Sequence, residues 1–159
     1  MEWTSVDLDN CPIVRALDVL GNRWTLIVLR ESLNGVHRFE DFLHHLGVSP
    51  SVLSKRLREM VDQGLLVREP YREPGGRERH EYHPTQKAWE LYPVLVGLMQ
   101  WGDRYLGDPT GPPVRLVDSV SGQPVMAAVV PSDAAVCSPA DIRVEPGESL
   151  KLREADGPD

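Results

Sequence analysis

Apolar residues recur along the first hundred positions at the three-and-four spacing of amphipathic helices, and glycine, asparagine or proline interrupts them at each change of element. Asn10-Cys11-Pro12 opens a first helix, with proline suited to the first helical position and Cys11 at the cap. Ile13, Leu17 and Leu20 mark its apolar face, and Gly21-Asn22 ends it. A second helix is expected over residues 23–33, with Trp24, Ile27, Val28 and Leu29 apolar, stopping at Asn34-Gly35. A third, short helix over residues 38–46 carries Phe39, Phe42, Leu43 and Leu46, and Gly47 supplies the turn that follows. Ser49-Pro50 then starts a fourth helix, running to Gln63 and closed by Gly64. Its residues Leu53, Leu57, Met60 and Val61 share one face, while Ser51, Ser54, Lys55, Arg58 and Asp62 lie across or beside the opposite one.

Beyond Gly64 the period changes. Residues 65–67 and 79–83 read as two strands around a loop tipped by Pro74-Gly75-Gly76. A long helix is expected over residues 85–105, with Trp89, Tyr92, Leu95, Val96, Met99 and Trp101, and Pro93 should kink it or sit in a tolerant turn. From Asp108 prolines and glycines become frequent, and residues 114–117, 125–130 and 142–144 look like short strands. The expected fold is mainly α with a β-hairpin wing, a winged helix-turn-helix, followed by a small β-rich C-terminal appendage. The expected division is residues 1–107 for DNA binding and dimerisation and residues 108–159 for an acidic extension.

Charge modifies this picture less than its total suggests. The net charge is −7, which opposes phosphate binding, but residues 1–107 hold 13 Lys/Arg against 15 Asp/Glu, and residues 108–159 hold 4 against 9. The acidic excess therefore sits mostly in the tail. Basic residues cluster on the fourth helix and the hairpin, where a helix-turn-helix needs them. Ser49, Ser51 and Ser54 are small enough for close approach to phosphates and base edges, with Val52 beside them, and Ser51, Val52 and Ser54 are the expected base readers. Lys55, Arg56 and Arg58 add charge for the backbone, and Arg72, Arg77 and Arg79 place charge on the wing. The expected partner is double-stranded DNA.

The strings Cys11-Pro12-Ile13, Gly21-Asn22-Arg23-Trp24-Thr25, Arg38-Phe39-Glu40-Asp41-Phe42 and Val52-Leu53-Ser54-Lys55-Arg56-Leu57 occur in order. They are followed by Gly64-Leu65-Leu66-Val67-Arg68, Glu81-Tyr82, Leu91-Tyr92-Pro93-Val94-Leu95 and Trp101-Gly102. Together, over residues 10–106, they resemble the HxlR-type regulators, relatives of the MarR regulators. The resemblance implies a cytoplasmic bacterial homodimer, paired through the first and last helices, that represses or activates at a palindromic operator. Where such regulators commonly open the last helix with a Leu-Thr pair and a glycine, this chain has Pro84-Thr85 and Ala88, so a different entry angle is expected. The appendage resembles an extension in which paired cysteines look able to hold zinc. Only Cys137 remains here, near Gly122 and Ser138-Pro139, and a tetrahedral thiolate site needs four ligands, so no zinc and no other cofactor is expected.

Cys11 and Cys137, at opposite ends of the chain, make no disulfide framework and suit a reducing cytoplasm. Cys11 has two readings. A thiol at a helix N-terminus, one turn from Arg15, is placed for thiolate formation, and some proteins of the resembled family sense oxidants or electrophiles there. The other reading is a buried structural cysteine. His37, His44, His45, His80 and His83 show no metal-ligand spacing and read as solvated or capping side chains. Trp24, Trp89, Tyr92 and Trp101 read first as core and second as the lining of a small-molecule effector pocket. No nucleophile elbow or phosphate loop appears, so an enzyme is not expected. Neither a secretory leader nor an apolar run of membrane-spanning length is present, so no membrane partner is expected and the cytoplasm is the expected compartment. The rival function is a winged-helix adaptor that binds a protein or small ligand without DNA.

Overall fold

In this computed structural model residues 2–5 and 7–152 are described. Single-turn 3-10 segments at Trp3–Ser5 and Leu8–Asn10 lead into helix α1, Pro12–Leu20. Cys11 caps α1 with extended backbone, and Pro12 opens it at no cost, because its missing N–H would have had no helical partner. Helix α2, Arg23–Leu33, begins where the Asn22 side chain accepts the Trp24 N–H at 2.9 Å. Helix α3, Phe39–Leu46, starts one residue later than expected. Arg38 stands outside it as its cap and forms a β-bridge with Glu81.

Gly47 takes the left-handed conformation, φ 63°, that turns the chain from α3 into α4, Pro50–Asp62. The Ser49 hydroxyl accepts the Val52 N–H at 3.4 Å and Pro50 follows it, as the Ser-Pro pair implies. After α4 the chain forms strands β1, Leu66–Tyr71, and β2, Arg79–Pro84, paired antiparallel from Leu66 opposite Pro84 to Tyr71 opposite Arg79. The core of this unit is built from three helices and the root of the hairpin. Val28, Leu29 and Leu33 of α2, Phe42 of α3, Leu53, Leu57 and Met60 of α4, and Leu65 and Leu66 are all buried.

One buried residue in this unit is a carboxylate. Glu31 is 3% exposed. Its side chain takes an ion pair from Arg30 and meets His45 Nδ1 of α3 at 2.5 Å. A buried charge persists only with such partners, so His45, which is exposed as its spacing implied, also serves as a partner to that carboxylate.

The helix expected over residues 85–105 is two helices. Helix α5, Gln86–Trp89, is capped by Thr85, whose hydroxyl accepts from Ala88 and donates to the Gly64 carbonyl at 2.7 Å. Lys87 Nζ reaches the Gln63 carbonyl at 2.8 Å, tying α5 to the end of α4. The helix stops at Glu90 and restarts as α6, Tyr92–Leu106, with Pro93 in its first turn. Proline lacks the N–H and clashes with the carbonyl four residues back, so it opens a helix instead of continuing one.

By contacts the chain divides into two compact units, Met1–Glu90 and Leu91–Asp159, so α6 groups with the C-terminal strands and the division precedes the change of composition at Asp108. In the second unit, β3, Val114–Asp118, pairs antiparallel with β4, Ile142–Pro146, and Leu116, Val117 and Val96 are buried. The strand expected over residues 125–130 is absent. Only a bridge between Val117 and Pro124 forms there. The Gln100 side-chain amide instead takes the backbone of the next residues, donating to the Val125 carbonyl at 2.9 Å and accepting the Ala127 N–H at 3.0 Å. Among the described residues no helix is long and apolar enough to cross a membrane.

Candidate nucleic-acid interface

Burial of Leu53, Leu57 and Met60 fixes the rotation of α4 about its axis. Ser51, Lys55, Arg58 and Asp62 therefore line its exposed side, with Ser54 and Val52 also open. At the N-terminal end, Ser49 and Ser51 are exposed with their hydroxyl oxygens 3.2 Å apart; Pro50 has no N–H, and the Val52 and Leu53 N–H groups are taken by Ser49. The two small hydroxyls leave room for an oxyanion or a base edge to approach without a bulky side chain in the way.

The three cations of α4 differ. Lys55 is 73% exposed in its side chain and stands 4.0 Å from Glu59, a loose pairing. Arg58 is exposed and forms no ion pair among the described residues. Arg56 is only 17% exposed, donates to Glu59 at 2.6 Å, and has its Nε buried without a hydrogen-bond partner. Arg56 therefore lies along the flank of the helix, where its stem packs and its charge is already matched.

The wing shows the same split. Arg72 and Arg77, near the tip, are exposed and form no ion pair among the described residues. Arg79 is 3.4 Å from Glu40. A hydrogen bond with Tyr71 and the Glu40 charge hold its proton more tightly than usual. Arg68 of β1, which composition did not single out, is exposed with Nη2 2.9 Å from His80 Nδ1. The strand's full length, to Tyr71, is what places Arg68 on the wing.

At the wing's base a network joins the hairpin to the segment before α3. Arg38 Nε donates to Glu81 at 2.9 Å, Nη1 donates to Glu73 at 3.0 Å, and the guanidinium stacks 4.5 Å above the Tyr71 ring. The Arg38 hydrogen bond is the main cause holding the Glu81 carboxyl below its usual range, with His83 adding to it. His83 Nε2 lies 3.1 Å from Glu81, and its ring is 4.2 Å from that of His37. Desolvation, then the neighbouring His83, lowers the His37 pKa. These histidines hold elements together, and a reading of spacing alone missed that role.

Cys11 is half-buried at the start of α1, and its thiol makes no capping hydrogen bond. Of the four aromatics, Trp24, Trp89 and Tyr92 are half-buried, and Arg23 stacks 4.9 Å from the Trp24 ring. Trp101 is 57% exposed and tilts against Tyr105, so it is not core. An open depression of about 530 Å³ in the second unit, among Gly102, Asp103, Leu106, Pro113, Leu150 and Lys151, includes none of the four.

A buried-faced helix after a glycine turn, with its polar side open and a basic hairpin following it, defines a winged helix-turn-helix transcriptional regulator. Comparison with known proteins agrees. The HxlR-like helix-turn-helix family model matches residues 19–109, and the chain belongs to that family, one of transcriptional regulators and not of enzymes. Rv3095 of Mycobacterium tuberculosis, described as an uncharacterized HTH-type transcriptional regulator, is 46% identical over 69% of this chain and 68% of its own. The solved structure of PA1607, described as a candidate transcription factor, is 36% identical with a TM-score of 0.69, covering 87% of this chain and 96% of that one. The redox regulator HypR, in its reduced form, is 28% identical with a TM-score of 0.53, covering 60% of this chain and 95% of its own.

Proposed function

We propose that this regulator acts in the cytoplasm as a homodimer on a palindromic operator, each copy laying α4 in a major groove and its wing along the flanking backbone. The observation that carries this reading is the free outer side of α4, where Ser51, Lys55 and Arg58 are exposed while the leucines behind them are buried. Two α4 helices spaced about one helical turn of DNA apart would read successive half-sites. Ser51, Val52 and Ser54 are the base readers in this proposal. Lys55, Arg58, Arg72 and Arg77 are phosphate contacts, and Ser49 serves the helix start. Arg56 and Arg79 contribute mainly by holding the frame, since their charges are already paired.

A second copy has surfaces to meet. Helix α1 exposes Ile13, Val14 and Leu17, and helix α6 exposes Val94, Leu98, Trp101 and Tyr105, spaced as one stripe. Selection of bound sequences from random duplexes with the purified protein tests the reading. A palindromic consensus supports it, whereas no preference at moderate salt favours the adaptor and overturns it. Arg58→Ala and Lys55→Ala should each lower the slope of log affinity against log salt by about one unit per half-site, about two for the dimer. Arg77→Ala should weaken all sequences alike, leaving the consensus unchanged.

Likeness to a redox regulator supports a sensing role for Cys11, which also sits half-buried beside the positive end of α1. Alkylation of Cys11 by a mild electrophile should reduce operator affinity at least tenfold, measured by fluorescence anisotropy, with the Cys11→Ser protein unresponsive. Unchanged affinity at full modification would leave Cys11 a packing residue.

A further inference from the structure

His37 is one of the residues that join the helix-turn-helix to the wing, beside Arg38 with its bonds to Glu81 and Glu73. His37 lies between α2 and α3, and its main-chain carbonyl accepts the Tyr82 N–H of β2 at 2.8 Å. Its ring packs at 4.2 Å, tilted by 44°, on the ring of His83, which also belongs to β2. We infer that His37, packed on His83, is an acid-released latch that helps dock the wing to the helix-turn-helix at neutral pH and loosens it when the His37 ring takes a proton.

The charges around the pair explain why a proton on His37 is disruptive. Glu81, also on β2, is 3.1 Å from His83 Nε2, but its other oxygen is engaged by Arg38, and Glu69 of β1 stands 3.9 Å from His83. These two carboxylates face His83. Arg38, from the same segment as His37, adds a positive charge and is shared between Glu81 and Glu73. A proton on His37 is therefore disfavoured first by burial and then by the neighbouring His83, with the nearest carboxylate already committed. Arg79 and His80, the other basic groups of β2 near this end, are taken by Glu40 and Arg68.

The direction in pH follows from linkage. Burial and His83 outweigh the opposing pull of Ser32 and Glu81, so the folded pKa of His37 lies below its ordinary 6.5. The unfolded or undocked segment then binds the proton more readily. The docking contribution is present in full above about pH 6.5 and is lost as pH falls through the lowered value. Only the consequence for DNA rests on the function proposed above. A released hairpin no longer holds Arg72 and Arg77 in place, so binding of the dimer in acid should lose about four units of salt slope, two from each wing.

Amide hydrogen exchange at Tyr82, corrected for its intrinsic rate at each pH, tests the latch without DNA. Between pH 7.5 and 5.5 protection in the full-length protein should fall at least tenfold. His37→Gln, which keeps the main-chain carbonyl and a side chain of similar size, should show a much smaller fall, and His83→Gln serves the same purpose if the first variant folds poorly. An unchanged protection factor in the wild type, or an equal fall in a folded variant, would overturn the latch. Absence of any DNA binding would remove the function proposed above while leaving this result to stand or fall by itself.

Discussion

Phe42→Ala is expected to destabilise the first unit by about 3–5 kcal/mol, the cost of removing a fully buried phenyl ring and leaving part of its volume empty. Phe42 is 0% exposed, and α3 touches both α4 and β2, so its ring sits where the helix-turn-helix and the wing share one core. Domains of this size are stable by only about 5–15 kcal/mol, so this one change removes a large part of the total. Urea unfolding followed by tryptophan fluorescence should show a much lower midpoint with an unchanged slope. Phe42→Leu, which refills most of the space, should recover over half of the loss. A cost below about 1 kcal/mol would mean that α3 does not rest on this core. The consequence reaches function, because the position of α4 relative to the turn at Gly47 is set by the same buried face.

The other large effect concerns assembly. Leu98→Asp should convert the proposed dimer to a monomer, seen by light scattering, and lower operator affinity about 10²–10⁴-fold. That range is the loss expected when two linked half-site contacts become independent. Leu98 is 50% exposed within its own chain, so the charge costs little in the monomer, and circular dichroism should be unchanged. An aspartate on the α6 stripe becomes costly only when a second copy covers it. Ile13→Asp on α1 should act in the same direction. If both variants remain dimeric and bind as tightly as the wild type, the exposed stripes are not the seam.

These effects trace to features that differ in how openly the sequence displayed them. The four helices before the wing were legible because their signals are local. Apolar positions three and four apart need a common side, Ser49-Pro50 satisfies and starts a helix within four residues, and Gly47 takes a left-handed conformation that other residues resist. The order of elements then pointed to the winged helix-turn-helix. Pro93 was equally visible, but whether it bends a helix or begins one depends on what the preceding carbonyls bond to. Here α5 ends before it, secured through Thr85 and Lys87 to the end of α4.

The missed features all depend on groups far apart in the chain. A β-like run from Val125 onward meets β3 only at its start, through the Val125 N–H and the Leu116 carbonyl, and a glutamine on α6 takes the backbone groups that follow. Arg79 looked available until Glu40 was found opposite it, and the histidines looked unrelated until folding stacked His37 on His83 and set His45 against a buried carboxylate. Backbone preference and side-chain periodicity act within a few residues, so the sequence by itself determined the helices, the turns, the hairpin and which side of α4 is open. Which cations remain unpaired on that side, and which titratable groups bind the wing to the helices, was decided only by the tertiary structure, since charge pairing depends on distance through space and not along the chain.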